Sequence, residues 1–325
     1  MSPRRLRLAH LPTPLWHSES LDRLVGCELW VKRDDMTAGA AAGNKIRKLE
    51  FLLADAVSRR ADTVITCGGE QSNHARATAL AARGLGLDTR LLLRTATGVG
   101  PTRDEGNLLL DRLAGASIRF IDPPAYAERA RLLEAEAAEL RTAGKQPYVI
   151  PEGGSNAIGS LGYVEAMREI REQLDLGLAQ GREPFDVVVH ACGSGGTAAG
   201  VCAGALHFGV APQVWAMAVC DSRDYFERVV GRILLGIAAL RPELGNPAEL
   251  VVSDRDKGPA YAVASDAQKQ FIRDVLRATG LVLDPVYTGK ALFALSRMEP
   301  KPRRALFLHT GGLPGLLAQH DAFSS

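Results

Sequence analysis

With 325 residues the chain is long enough for two lobes of ordinary size, with room for one cofactor-sized cleft between them. Its 39 lysines and arginines against 37 aspartates and glutamates leave a net charge of +2, too small to argue for nucleic acid or an anionic membrane as partner. Five cysteines (Cys27, Cys67, Cys192, Cys202, Cys220) are odd in number and include no C-x-x-C pair, which argues against a disulfide scaffold or a zinc site and for reduced thiols in the cytoplasm. The basic start Met1-Ser-Pro-Arg-Arg-Leu-Arg is followed by His10, Pro12 and Pro14 rather than a long apolar segment, so no secretory signal is expected, and no run approaches a membrane span. A small molecule is the expected partner.

The first readable element is a helix opening at Gly43-Asn44-Lys45. From Ile46 on, Leu49, Leu52, Leu53, Ala56 and Val57 recur at helical spacing, which sets Lys45 in the first turn. An ammonium at the positive end of a helix is disfavoured, and the neutral amine that results is the form that attacks carbonyls. The plain alternative is that Lys45, Arg47 and Lys48 form a solvated basic face.

Further along, short apolar runs alternate with helical patterns, the rhythm of βαβ units and mostly parallel sheets. Strands are expected at Val64–Cys67, Thr89–Leu93, Ile118–Ile121, Tyr148–Ile150, Val187–Ala191, Val214–Val219 and Ala305–Leu308. Helices are expected at Asn73–Arg83, Gly106–Leu113, Ala125–Ala143, Leu161–Gln173, Thr197–Phe208 and Asp266–Thr279, with Gly84 and Gly280 as stops. Loops rich in Gly, Pro and Thr fall at Thr95–Thr102 and Arg241–Ala248, and the pattern is least readable from Asp221 to Tyr261.

Three glycine-rich turns end strands. Gly68-Gly69-Glu70-Gln71-Ser72-Asn73-His74 places four polar side chains in a row where open α/β sheets bind ligands, although Ser72 or Asn73 can also serve as an ordinary helix cap. Pro151-Glu152-Gly153-Gly154-Ser155-Asn156 ends another strand in the same way. Gly193-Ser194-Gly195-Gly196-Thr197 joins a strand to a helix and has the makings of a phosphate cradle: converging amides, a helix N-terminus, and the hydroxyls of Ser194 and Thr197. The same turn, read as Gly193-x-Gly195-x-x-Ala198 with Asp221 downstream, also satisfies the relaxed dinucleotide fingerprint, so an NAD-dependent dehydrogenase competes at this point. Near the end, Tyr287 heads a helix after a proline turn, and Thr310 in His309-Thr310-Gly311-Gly312 stands at a strand end. A ligand-binding protein without catalysis is a third reading, but it would need no lysine at the cleft.

Taken together these motifs resemble the D-cysteine desulfhydrase and 1-aminocyclopropane-1-carboxylate deaminase family, pyridoxal 5'-phosphate enzymes of the tryptophan-synthase β fold (fold type II). GNKIRKLEFLLADA, QSNHAR, YVIPEGGSNAIGSLGYVEA, GSGGT, DPVYTGKA and HTGG occur in the family's order, from Leu11-Pro-Thr-Pro-Leu15 to Gly312. The resemblance implies two α/β lobes, with 1–48 and 160–325 forming the larger cofactor-binding lobe and 49–159 the smaller inserted one. It makes Lys45 the Schiff-base lysine, Asn73 the partner of the cofactor's 3′-oxygen, Gly193, Ser194, Gly195, Gly196 and Thr197 its phosphate loop, and Thr310 the neutral donor to its ring nitrogen. Ser72, Tyr261 and Tyr287 fall on catalytic positions, and Gln71, Ser72 and Thr288 on the substrate side.

The implied activity is β-elimination on a small cysteine-like amino acid, most simply D-cysteine, by a cytoplasmic homodimer. Thr288 stands where the ring-opening deaminases carry a glutamate, and L-cysteate sulfo-lyase belongs to the same family. The chain departs from the pattern at Glu70, beside QSN, and at Gly258-Pro-Ala-Tyr261. A carboxylate at Glu70 facing the substrate would disfavour anionic side chains such as that of cysteate; otherwise it faces solvent or pairs with Arg76.

Overall fold

The computed structural model describes residues 4–323. Ten strands form two sheets: β1 (Leu15–His17), β2 (Glu28–Lys32), β3 (Thr63–Gly69), β4 (Asp88–Arg94), β5 (Ser117–Ile121), β6 (Pro147–Val149), β7 (Val187–Cys192), β8 (Gln213–Ala218), β9 (Glu249–Ser253) and β10 (Arg304–Leu308). The six-stranded sheet runs β1-β2-β10-β7-β8-β9 and is parallel except for the β1–β2 pair; the four-stranded sheet, β5-β4-β3-β6, is parallel throughout.

Twelve helices connect them: α1 (Glu19–Val25), α2 (Asn44–Ser58), α3 (Asn73–Gly84), α4 (Gly106–Leu113), α5 (Pro123–Ala127), α6 (Arg129–Thr142), α7 (Ala157–Asp175), α8 (Gly196–Ala205), α9 (Arg223–Leu240), α10 (Asp266–Thr279), α11 (Thr288–Ser296) and α12 (Leu313–Leu317). Among the described residues no helix is long and apolar enough to cross a membrane.

The larger sheet is buried on both faces, which is why β7 and β10 are apolar but for His190 and the leading Arg304. Alternate side chains serve opposite cores. Val187, Val189 and Phe307 pack with Leu21, Ile272, Leu292 and Leu295 of α1, α10 and α11. Val188, Leu306 and Leu308 pack with Tyr163, Met167, Ile170 and Val201 of α7 and α8. In the smaller sheet Val64 meets Leu49, Leu53 and Ala56 of α2, while Ile65 and Cys67 meet Leu133, Ala137 and Leu140 of α6.

Two stretches differ from the expected pattern. The helix expected over Ala125–Ala143 is two, because Asp122 caps a short α5 that begins with proline and Glu128 leaves helical geometry (φ −91°, ψ 17°) before α6 starts. The unreadable stretch after Asp221 holds the 18-residue α9 and strand β9. Helices α2 and α7 run unbroken across positions 48/49 and 159/160, while the strands of the smaller sheet all fall between those positions and the strands of the larger sheet outside them.

A buried charge cluster locks α2 to the rest. The Arg47 guanidinium donates to both Asp34 oxygens (2.9 and 2.8 Å) and to both Glu169 oxygens (2.9 and 3.0 Å). Lys32 meets Glu169 at 2.5 Å, and the Tyr163 hydroxyl donates to Asp34 at 2.7 Å. These partners come from β2 and the 3-10 turn that follows it, from α2 and from α7, and they fix the helix whose first turn carries Lys45.

Candidate active site

The carboxyl ends of β3, β7 and β10 face the first turn of α2 across one cleft. Gly43 makes that turn possible: its φ is +118°, and a side chain there would stand 2.8 Å from the Thr310 carbonyl, which accepts the Asn44 N–H at 3.2 Å. Lys45 therefore leaves the helix beside Thr310. Its ammonium donates to Asn44 Oδ1 at 3.1 Å, and Asn44 Nδ2 donates to Thr197 Oγ1 at 3.1 Å, which ties the lysine to the glycine turn opposite.

Burial is the main influence on the titrating groups here. It lowers Lys45 from 10.5 to about 8, so about a tenth of the amine is neutral at pH 7 against well under a thousandth for an ordinary lysine. Lys48, three residues on and on the same helix face, is also lowered well below its ordinary value, first by burial and then by the charge of Lys45. His190 falls to about 4 and His74 also falls, both chiefly through burial. His190 Nε2 and His74 Nδ1 are buried without a hydrogen-bond partner. Lys45 in the cavity and Lys48 behind its wall have no carboxylate at ion-pair distance among the described residues, a deficit that an anionic ligand would supply.

The turn Gly193–Thr197 is built to receive such a ligand. Gly195 adopts φ +80°, with Val229 2.8 Å from where a side chain would begin, and this bend aims the turn's amides inward before α8 starts. The N–H groups of Thr197 and Ala198, in the first turn of α8, find no acceptor among the described residues. Behind them Ser155 donates to Ser194 Oγ (2.8 Å), accepts from the Gly196 N–H (3.2 Å), and stands 3.4 Å from Lys48 Nζ. Gly196 is thus a brace rather than a lining residue.

On the opposite wall Ser72 Oγ caps α3 by accepting from Ala75 N–H at 3.2 Å, leaving its own proton free. Asn73 lines the cavity and is oriented by Asn107, whose amide donates to Asn73 Oδ1 at 3.0 Å. The Tyr261 and Tyr287 hydroxyls lie 2.6 Å apart and both line the cavity. Burial pushes Tyr261 up to about 12 and also raises Tyr287 well above its ordinary value, so both phenols stay protonated.

The structure gathers Lys45, Ser72, Asn73, Gly193, Ser194, Gly195, Thr197, Tyr261, Tyr287 and Thr310 around one cavity. It leaves out two expected substrate residues. Gln71 accepts the Asn107 N–H (2.9 Å) and donates to the Glu105 carbonyl (3.1 Å), tying α4 to α3. Thr288 is buried with its hydroxyl donating to Asp284 at 2.7 Å. Asp284 also accepts from the N–H groups of Val286, Tyr287 and Thr288, so the DPVYT segment is a cap that aims Tyr287 into the cleft. Glu70 does not line the cavity, and Arg76, its suggested partner, instead donates to the carbonyls of Ala40 and Ala42. Lys48, Asn44, Ser155 and His190 went unassigned in the sequence. For Lys48, the three-residue spacing from Lys45 was the available signal.

A family model described as "Pyridoxal-phosphate dependent enzyme" matches residues 6–311. The chain is 44% identical over 333 residues to the bifunctional D-cysteine desulfhydrase/1-aminocyclopropane-1-carboxylate deaminase, mitochondrial, of Arabidopsis thaliana, covering 98% of this chain and 80% of that protein. It is 41% identical to a putative 1-aminocyclopropane-1-carboxylate deaminase of Thermotoga maritima, covering 97% and 98% of the two chains. A crystal structure described as an ACC deaminase homologue superposes with a TM-score of 0.86 at 37% identity, covering 99% of this chain and 96% of the other. These matches overturn the dinucleotide reading of the Gly193 turn.

Proposed function

The chain belongs to the pyridoxal-phosphate-dependent enzyme family and has its tryptophan-synthase β-like fold, and from that premise we propose that it is a D-cysteine desulfhydrase, a lyase that converts D-cysteine and water to pyruvate, ammonia and sulfide. The observation that carries this reading is the facing of a partly neutral Lys45 amine and two protonated tyrosine hydroxyls across one cavity.

The residues present fit the cofactor. Lys45 is the attachment point; the Gly193–Thr197 turn, backed by Lys48 and Ser155, would hold the phosphate, Asn73 the ring oxygen and Thr310 the ring nitrogen. Bound there, the group supplies an electron sink conjugated with the substrate's α-carbon. A hydroxyl such as that of Thr310 cannot protonate a pyridine fully, which keeps the sink moderate and disfavours transamination.

Lys45 takes the α-proton, since its amine is lowered toward neutral pH and lines the cavity. Tyr261 and Tyr287 cannot serve as bases while their phenols remain protonated. One hydroxyl of the pair donates to the other, the remaining O–H donates toward the departing sulfur, and Ser72 contributes a donor from the other wall. The Cα–H and Cβ–S bonds break, the electron pair leaves on sulfur, and hydrolysis of the remaining enamine gives pyruvate and ammonia.

Keto-acid release from D-cysteine, L-cysteine, L-cysteate, D-serine, β-chloro-D-alanine and 1-aminocyclopropane-1-carboxylate tests the assignment. D-cysteine should give the highest specificity constant. Release confined to 1-aminocyclopropane-1-carboxylate or to L-cysteate would replace the desulfhydrase reading with that activity.

Two further outcomes are expected. Capture of the cofactor by apoprotein needs the free Lys45 amine, so its rate should climb with pH and level off above about 8; a midpoint at the ordinary lysine value of 10.5 would contradict the buried-amine account. Thr197→Ala should weaken cofactor retention roughly ten- to a hundredfold, the loss of one charge-assisted hydrogen bond, with little change in substrate preference. An unchanged dissociation constant after dialysis would remove Thr197 from the cradle.

A cytoplasmic homodimer is part of the proposal. All five cysteines are free thiols, and Leu276 and Leu317, both exposed, flank an apolar groove. A monomer mass in sedimentation equilibrium would remove the dimer.

A further inference from the structure

We propose that the active site continues into a second pocket for an anionic substrate end, received by Arg94, so that S-substituted cysteines ending in a carboxylate are substrates alongside cysteine. The inference rests on the lyase reading above. A cavity of about 450 Å³ shares Gly69, Glu152, Gly193 and Tyr261 with the reaction cavity, and it lies in the size range of small-molecule pockets.

Most of its charge is already matched. Arg129 and Glu152 pair at 2.8 Å, with the Tyr126 hydroxyl donating to Glu152 at 2.6 Å. Asp221 stands at the exposed rim, 3.2 Å from the Cys220 thiol.

Arg94 differs from these. Its half-buried guanidinium lies over the rings of Tyr126 (5.0 Å) and Tyr261 (5.3 Å) and has no carboxylate partner among the described residues. A guanidinium held against two ring faces keeps its N–H edges for a ligand, and its planar fork matches a carboxylate. Tyr261 is also half of the tyrosine pair that faces the departing sulfur, so a chain running outward from that sulfur enters the Arg94 pocket. The reaction is R–S–CH2–CH(NH3+)–COO− plus water giving pyruvate, ammonium and R–SH: the α-proton goes to Lys45, the Cβ–S electrons leave on sulfur, and water hydrolyses the enamine.

The test uses the holoenzyme and both enantiomers of S-carboxyethylcysteine, S-hydroxyethylcysteine and S-aminoethylcysteine. The acid should exceed the alcohol in kcat/KM by roughly tenfold, with the amine poorest; Arg94→Gln should erase that order and Arg94→Lys keep part of it. Calorimetry gives a readout free of turnover: methylthiopropionate should bind roughly tenfold tighter than methylthioethanol, and equally in Arg94→Gln. Equal constants for acid and alcohol in the unaltered protein overturn the pocket. So does an Arg94→Gln loss that is the same on cysteine as on all three derivatives, since that pattern would place Arg94 on the α-carboxylate. Keto acid from none of the compounds overturns the lyase reading instead, and the pocket is then judged on calorimetry alone.

Discussion

Lys45→Ala should abolish keto-acid release while leaving the fold intact. Loss of proton transfer alone costs about a hundred- to ten-thousandfold, and loss of the nucleophilic amine adds to it. Alanine is well tolerated in a helix, and Lys45 is absent from the Arg47 cluster that anchors α2, so the unfolding midpoint should move little. Lys48 stands one turn away, yet it is spent on the Gly153 carbonyl at 3.0 Å and on Ser155, and it should not substitute. Residual turnover within tenfold of the unaltered protein would move the base elsewhere.

The largest expected loss of stability follows from Arg47→Met. The substitution keeps bulk but leaves Asp34 and Glu169 without their shared cation, and breaking a buried pair in this way costs about 3–5 kcal/mol. An unfolding free energy lowered by that amount, read as a urea midpoint that falls at unchanged slope, is the expected result. A loss under about 1 kcal/mol would mean the cluster is no stronger than a surface pair. Acid should reproduce part of the effect. Hydrogen bonding and charge from Arg47, with help from Lys32, outweigh burial and hold Glu169 at about 2 against an ordinary 4.5. Its folded value is depressed, so its contribution is complete above about 4.5 and is lost as pH falls through about 2.

Much of this site was legible in the chain because its chemistry rests on local pattern. The apolar spacing of Ile46, Leu49, Leu52 and Leu53 marks α2, and all four are buried as a helix face requires. Gly193 to Thr197 can be read because a turn that bares its amides needs glycine. Thr288 and Gln71 misled for the converse reason. Both flank residues that line the cavity, but their side chains turn to Asp284 and to the α4 backbone, and proximity in sequence carries no direction. Helix α9 was hidden because its apolar residues are not confined to one face: Phe226, Val230, Ile233 and Ile237 are buried while Leu235 and Leu240 are exposed. The Arg47 cluster and the Arg94 pocket join residues far apart in the chain, and only the fold brings them together.

The central claim is that Lys45 is the cofactor's point of attachment. Borohydride reduction of the cofactor-loaded protein, followed by protease digestion and mass spectrometry, reads that attachment as an added mass on one lysine. The account expects the mass on Lys45 and its absence in Lys45→Ala; a label on Lys48 or Lys290, or none on any peptide, would contradict it.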